Sequence, residues 1–409
     1  NPTTKTFDEI PQVCAVTISR PWGERLRDLC LRGKVTVKMN VSSVRKWETL
    51  PQPYGFLKGA VEPDKVVLVA GHVDAWEPGV TCNATGDATM LEIARVLAQN
   101  RAHLRRSICF AFWNGHEIAE AAGSTWFVDN FWPEISKNYV AYINVDSTGM
   151  KGTSQFKVSV SRELSDMVKS LSEELLEEPV EVSYLTRTGD QSFFGVGVPA
   201  IAGRYSFSDE YVKRTHGATL GWWNHTIEDT LDKYDPEVMA KDIKVQMGYI
   251  WRLATDRVLP YSAARLVADA EQKIKALAEE SKNVIDLNPI LAELKRLDAG
   301  VNKLYSLDAS SLTDEQAALL NKAQMAVSRY MTNVLYTKAE RFEQDSYGLS
   351  ILSKPIPLLY PVIELQNKDR ASQEYMLLET ELLRARNRVW EAVNGAADAV
   401  EFALKLLEC

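Results

Sequence analysis

At 409 residues the chain is too long for one ordinary hydrophobic core, so a large domain and a second element are expected. Hydrophobic residues make up 45% of it and charged residues 25%, as in globular proteins, and no apolar run approaches the roughly 20 residues of a membrane span. The formal net charge of −8 argues against nucleic acid as a partner, because nucleic-acid-binding proteins carry a basic surface. The five cysteines lack paired spacing, so no disulfide framework is predicted, and the cytoplasm is favoured as the compartment.

The predicted elements begin with two short strands separated by a helix. The strands are expected at 13–19 and 34–41, and the helix in the intervening run PWGERLRDLCLRG. From residue 61 onward, buried strands alternate with amphipathic helices. The strands are expected at 65–72, 107–113 and 140–147, and the helices at 85–100 and 124–131. Near-continuous apolar strands separated by helices predict an α/β fold, with a mostly parallel mixed sheet sandwiched by helices.

Beyond residue 260 the pattern changes to long helices. Apolar residues recur at helical spacing, with Glu, Lys and Arg between them, in the segments 263–283, 317–342 and 373–407. This pattern predicts a C-terminal bundle of helices with no chemistry of its own.

Residues that can bind metals stand at the ends of the predicted strands. The carboxyl ends of parallel strands meet at one edge of a sheet, where functional groups gather. A divalent metal binds His, Asp, Glu or Cys side chains that converge from several loops. The candidates are His72, Cys82, Glu117, Asp146 and His225. Asp74, two residues beyond His72, would suit a supporting role, either holding the imidazole or bordering the reacting water.

Six segments together resemble the co-catalytic zinc aminopeptidase superfamily, in its glutamate carboxypeptidase and transferrin receptor branch. They are FLKGAVEPDKVVLVAGHVDAW, NATGDATMLEIARVL, AFWNGHE, AGSTWF, YINVDSTG and NHTIEDTLDKYD. The resemblance implies a metallopeptidase-like catalytic domain at 61–260 and a helical dimerisation domain at 261–409. A homodimer, or pairing with a related subunit, is expected through 262–409. Residues 1–60 would be linking strands and the remnant of a protease-associated domain, most of which is absent from this chain.

The resemblance also implies a role for each candidate ligand. His72 and Asp146 match the residues that bind one zinc in the family, and Glu117 and His225 match those that bind the other. The aspartate that bridges the two metals in the family is replaced here by Cys82. The four outer ligands are therefore kept, while the bridge is altered.

Two altered positions leave several alternatives open. A thiolate offers one soft sulfur where a carboxylate offers two oxygens, so Cys82 favours one tightly bound divalent ion, most simply zinc. Cys82, Glu117 and His225 with a water would complete a tetrahedral site, and a second ion or a thiolate bridge between two ions stays open. His116 stands where the family has its glutamate general base. It could accept a proton near neutral pH or be an additional metal ligand.

The segment TGDQSFFGVGVPAI resembles the family loop that lines the specificity pocket. The substrate-binding candidates are Asp190, Gln191 and Phe193 in this segment, Arg187 and Arg204 on either side of it, and Asn224 just before His225. The two arginines could pair with a substrate carboxylate. Asn224 stands where the carboxypeptidase branch has a tyrosine and could still donate a hydrogen bond to a reacting oxygen.

The predicted function is metal-dependent hydrolysis of an amide or peptide-type C–N bond in a small or short peptide-like substrate. Retention of the four outer ligands favours this over simple loss of activity, although an ordinary aminopeptidase is not expected. One alternative is a non-catalytic binding or assembly subunit of the transferrin receptor kind. Another is a single-zinc enzyme resembling the glutaminyl cyclases, which share the catalytic fold.

Overall fold

The computed structural model describes residues 5–10, 12–44, 46–185, 190–343 and 356–407. The chain divides into two compact units, residues 1–50 and residues 51–409. The second unit contains the sheet and the long helices. Within the described residues, no helix combines the length and the apolar character that a membrane crossing requires.

The first unit contains the helix that the sequence predicts there. Helix α1 (Arg20–Arg32) has a proline in its first turn and ends with Arg32, and both features favour a helix at those ends. The strands predicted at 13–19 and 34–41 are wrong, because neither segment pairs with another strand. An alternating sequence without a partner strand has no stable sheet to join.

The second unit is built on a seven-stranded sheet in the order β1-β3-β2-β4-β7-β5-β6. The strands are β1 (Tyr54–Leu57), β2 (Glu62–His72), β3 (Arg106–Trp113), β4 (Tyr139–Asn144), β5 (Gln155–Val160), β6 (Glu181–Tyr184) and β7 (Ala200–Ser206). Strands β3, β2, β4 and β7 run parallel to one another, as do β5 and β6. Strands β1 and β5 are antiparallel to β3 and β7. The predicted mostly parallel mixed sheet is confirmed.

Helices cover both faces of this sheet. They are α2 (Thr85–Gln99), α3 (His116–Ala119), α4 (Ala122–Asn130), α5 (Trp132–Asn138), α6 (Ser165–Leu176), α7 (Asp209–Arg214) and α8 (Pro236–Thr255). Alternate residues of β2 point to opposite faces, as strand geometry requires. Leu68 and Ala70 pack in the same core as α4, whereas Val67 and Val69 pack in the core formed with α2 and α8. This explains why β2 reads as a continuous apolar run.

The remaining helices extend the first of these two cores. They are α9 (Ala263–Glu280), α10 (Asn288–Tyr305), α11 (Asp314–Tyr336), α12 (Val362–Leu365) and α13 (Gln373–Leu407). The long helices predicted in this region are confirmed by α9, α11 and α13, and α10 was not predicted. Arg329 on α11 connects these helices to segments beside the sheet. Its guanidinium donates to the carbonyl oxygens of Gly197, before β7, at 2.7 Å and of Ser136, in α5, at 2.9 Å.

Candidate metal centre

The turn between β2 and α2 is held by a buried carboxylate from a distant loop. Gly79 adopts a left-handed conformation (φ 58°) that starts this turn. Asp229 is 0% exposed, and its carboxylate accepts hydrogen bonds from Thr81 N at 3.0 Å, Thr81 Oγ1 at 2.8 Å and Cys82 N at 3.2 Å. The loop that carries His225 is thereby joined to the turn that carries Cys82.

Asn83 joins the ends of strands β2 and β4. Its buried amide donates to the carbonyl oxygens of His72 and Val145, each at 3.1 Å, and accepts from Ser147 N at 2.9 Å. The two strand ends also approach closely at Gly71, where an added Cβ would lie 2.1 Å from the Val145 oxygen. Only glycine fits at that point, and the close approach brings the residues after β4 beside His72.

Asp74 fixes the start of the short helix α3. Its carboxylate accepts hydrogen bonds from His116 N at 3.2 Å and Glu117 N at 2.9 Å. The backbone carbonyl of Asp74 lies 2.7 Å from Nδ1 of His72. That contact leaves Nε2 of His72 free to face the other candidate ligands.

Three of the other predicted metal ligands, Glu117, His72 and His225, surround the sulfur of Cys82, and Asp146 lies beside His72. Sγ lies 3.3 Å from Glu117 Oε1, and 3.7 Å from Nε2 of both His72 and His225. Glu117 Oε1 and His225 Nε2 are 3.2 Å apart. Asp146 Oδ1 lies 3.7 Å from His72 Nε2. The turn before α2, the ends of β2 and β4, and helix α3 therefore bring their side chains close together.

The separations between these donor atoms suit a single small cation. Zinc binds N, O and S ligands at about 2.0 to 2.3 Å in tetrahedral geometry, so two ligand atoms on one ion lie roughly 3.3 to 3.8 Å apart. The pairs formed by Cys82 with Glu117 and with each histidine fall in this range. The donor atoms of His72, Cys82 and Glu117 all lie within 4.8 Å of one another, in the part of the chain that the structure describes. Thiol, imidazole and carboxylate are also the donor types that zinc prefers.

The charges at the site favour a bound cation. Burial raises the pKa of the Cys82 thiol well above its usual range, and the carboxylates of Asp146 and Glu117 raise it further. Burial would lower the pKa of His72, but its interaction with Asp146 outweighs this and raises it to about 9. Burial would raise the pKa of Asp146, but His72 and the guanidinium of Arg204 hold it below its usual range. A cation would replace the protons that otherwise neutralise these groups.

His116 lies beside the ligand set. Its ring stacks on that of His72, with centroids 4.1 Å apart and planes at 16°. Its Nδ1 faces Asp190 Oδ2 at 3.3 Å. Burial would lower the pKa of His116, but Asp190 raises it above its usual range. His116 therefore lies next to the candidate ligand His72, and the carboxylate of Asp190 lies next to its Nδ1.

The predicted substrate-binding residues occupy different environments. Gln191 is buried with Asp190, and neither its oxygen nor its nitrogen has a hydrogen-bond partner. Phe193 is 0% exposed and packs in the core, with its ring centroid 4.6 Å from that of Tyr142. This places it beneath the site and away from any open surface, so its contact with a substrate stays a prediction.

The remaining substrate-binding candidates lie nearer the centre. Arg204 is half-buried, and its Nη1 lies 3.9 Å from Asp146 Oδ2 and donates to the Asp146 carbonyl at 3.4 Å. Asn224 precedes the candidate ligand His225 and keeps a buried Oδ1 without a hydrogen-bond partner. Arg187 lies outside the described residues.

Residues 54–249 match the sequence profile of Peptidase family M28. This part of the chain is therefore similar to peptidase family M28. The match covers every strand of the sheet and all five candidate ligands. It confirms the resemblance that the sequence motifs indicated.

Curated relatives and solved structures are similar to parts of this chain. The chain is 24% identical over 309 residues to "Probable glutamate carboxypeptidase VP8" of Zea mays, covering 70% of this chain and 43% of that protein. It is 39% identical over 114 residues to "Aminopeptidase NAALADL1" of Mus musculus, covering 27% of this chain and 15% of that protein. The chain therefore spans less than half the length of these relatives. BSAP, a zinc aminopeptidase from Bacillus subtilis, superimposes with a TM-score of 0.44 at 19% identity over 50% of each chain.

The region that matches the family profile contains two residues of the candidate site that the sequence did not reveal. Asp229 lies within the quoted motif NHTIEDTLDKYD, but its spacing resembles that of an ordinary polar loop. Asn83 stands just before a predicted helix, where asparagine is a common N-cap residue, so its type and position do not mark it as part of a site. Their roles depend on contacts with residues far away in the chain, such as Thr81, which lies 148 positions from Asp229. The local signal that could have marked Asp229 is its place four residues after the candidate ligand His225.

Proposed function

We propose that this chain is a zinc-dependent hydrolase that cleaves a peptide-type C–N bond at an atypical metal site. The observation that carries the proposal is the position of the Cys82 sulfur, 3.3 to 3.7 Å from donor atoms of Glu117, His72 and His225. Two carboxylates and one thiol near two imidazoles form a site that needs a cation for charge balance. The match to the profile of a peptidase family supports the reaction class.

Each ligand has a defined place in this proposal. Cys82, Glu117 and His225 would hold one tightly bound zinc, because their donor atoms form the closest set. His72 and Asp146 would bind a weaker second ion or contact the substrate. When bound, a divalent ion polarises an amide carbonyl and lowers the pKa of water.

His116 would move the proton in this reaction. An imidazole can accept a proton from an attacking water near neutral pH and return it to the leaving nitrogen. The stacking of His116 on His72 keeps its ring beside the metal-binding side chains. The names of the two curated relatives, a carboxypeptidase and an aminopeptidase, support a peptide or peptide-like substrate.

The helical region would provide the dimer contact, as the sequence predicts for residues 262–409. Large apolar side chains on α13 are solvent-exposed in the single chain and could be covered by a second copy or a related subunit. They are Met376, Leu377, Leu383, Trp390, Phe402 and Leu406. Analytical ultracentrifugation of the isolated chain would test this part of the proposal, and a monomer at micromolar concentration would contradict it.

The metal proposal is tested by elemental analysis of purified wild-type protein and two cysteine variants. We expect about one zinc per chain in the wild type and loss of that zinc in Cys82→Ala. The matched control is Cys109→Ala, since Cys109 is also buried but lies in the sheet core. Product mass distinguishes hydrolysis, which adds water, from cyclisation, which releases ammonia. A folded wild-type protein that binds no metal would contradict the proposal.

A further inference from the structure

A buried carboxylate stands behind His116. Asp190 is 1% exposed, and its Oδ2 lies 3.3 Å from Nδ1 of His116. Asp190 Oδ1 and His116 Nδ1 are both shielded from solvent and neither makes a hydrogen bond. An unpaired carboxylate is costly to bury, so a nearby imidazole that carries or shares a proton offsets part of that cost. The two side chains face each other within ion-pair distance, and catalytic hydrogen bonds are often long before a substrate binds.

The segment that carries Asp190 is fastened on two sides. Ser192 Oγ lies 2.8 Å from Ser124 Oγ, which belongs to α4. From the helical region, Asn333 Nδ2 donates to the Gly195 oxygen at 3.0 Å, and Arg329 binds the Gly197 oxygen. These anchors hold the backbone after Asp190 against both the sheet domain and α11. The carboxylate has little freedom to move away from His116.

The other contacts of His116 do not determine which of its two ring nitrogens carries the proton. Its backbone N–H donates to Asp74 Oδ1 at 3.2 Å, and its ring stacks on His72. Both contacts would allow the proton of a neutral ring to sit on either nitrogen. Asp190 faces Nδ1 alone and so selects the form with the proton on Nδ1.

We propose that Asp190 is a positioning residue that holds the Nδ1–H of His116 and leaves Nε2 as the nitrogen that accepts a proton. This inference rests on the proposed hydrolase function. Nε2 takes a proton from the attacking water as its oxygen bonds to the carbonyl carbon. The same proton passes to the leaving nitrogen as the C–N bond breaks. Asp190 stays ionised throughout and stabilises the imidazolium that forms in between.

This role differs from the substrate-binding role that the sequence suggested for Asp190. A residue that binds substrate acts mainly on KM, whereas a residue that orients the proton acceptor acts on kcat. Residues that orient a reacting group through a hydrogen bond typically change activity by about 10- to 100-fold when replaced. The two roles can therefore be separated by kinetics.

The kinetic test compares Asp190→Asn, His116→Gln and the double variant in the zinc-loaded protein, with a short peptide substrate. We expect Asp190→Asn to lower kcat about 10- to 100-fold with KM unchanged. In the His116→Gln background the second substitution should have no further effect, because Asp190 acts through His116. The matched control is Asp242→Asn, an equally buried carboxylate that binds the backbone N–H groups of Gly149 and Tyr205. Its kcat should equal that of the wild type.

A second readout needs no activity. Long-range ¹H–¹⁵N spectra of the metal-free protein report which nitrogen of each of the five histidines carries the proton. The signal of His116 is identified by its loss in His116→Gln. We expect the Nδ1–H form in the wild type and the Nε2–H form or a mixture in Asp190→Asn.

The outcomes separate this inference from the proposed function. A wild type that neither binds zinc nor cleaves peptides would end the proposed function, while the spectra would still decide how Asp190 acts on His116. An active wild type with unchanged His116 spectra in Asp190→Asn would overturn the inference alone. Additive losses in the double variant, or a raised KM with normal kcat, would overturn it as well.

Discussion

Replacing Asp229 by alanine should destabilise the fold and release the turn that carries Cys82. The carboxylate of Asp229 accepts three hydrogen bonds, from Thr81 N, Thr81 Oγ1 and Cys82 N, at 2.8 to 3.2 Å. Each buried donor that loses its acceptor costs about 1 to 3 kcal/mol. Water entering the vacated space would satisfy part of this demand. We therefore expect the free energy of unfolding to fall by about 3 to 5 kcal/mol.

The measurement is urea denaturation of the metal-free protein, followed by tryptophan fluorescence. Asp232→Ala is the matched control, because Asp232 lies three residues further along and its side chain is 66% exposed. Loss of its surface ion pair with Lys233 should change the free energy of unfolding by less than about 1 kcal/mol. Zinc titration of the same variants should show weaker binding in Asp229→Ala alone. Equal unfolding free energies for the two variants would refute the claim that Asp229 holds the turn.

Two further predictions concern titratable groups. Removing the metal should leave Cys82 unreactive, because burial and neighbouring carboxylates raise the pKa of its thiol. Iodoacetamide should then label the exposed Cys14 and Cys30 much faster, and equally rapid labelling of Cys82 in folded protein would contradict this. Burial raises the pKa of Asp242 from 3.8 to about 7, so the folded state keeps a proton that the unfolded state loses. The free energy of unfolding should fall as pH rises across that range, and urea titrations of Asp242→Asn should show a flatter dependence.

The sheet and the long helices could be predicted because their signals are local. Strands β2, β3 and β4 are apolar runs whose length and composition set them apart, and α13 repeats apolar residues over 35 positions. The wrong strands at 13–19 and 34–41 carried a similar alternation without a partner to pair with. Whether a partner strand exists is a property of the whole fold, which periodicity alone does not contain.

The sequence indicated the candidate ligands, but it gave no sign of the residues that hold them in place. His72 and Asp146 follow predicted strands, and parallel strands bring such residues to one edge. No comparable rule locates Asp229, since its hydrogen bonds join positions 147 and 148 residues apart. The pairing of His116 with Asp190 also joins residues that are far apart in the chain. Supports of this kind emerge only when the fold brings distant loops together.

Cys82 and His116, where the sequence differs from the family pattern that its motifs resemble, occupy backbone positions that do not depend on their side chains. The turn at Cys82 is held through its backbone N–H by Asp229, and the start of α3 is held through the backbone N–H of His116 by Asp74. Hydrogen bonds to backbone atoms do not distinguish cysteine from aspartate or histidine from glutamate. Exchange at these two positions therefore changes the donor atoms presented to a metal and to a proton while the surrounding frame stays in place. A site with this construction can acquire a different metal preference or proton acceptor without refolding.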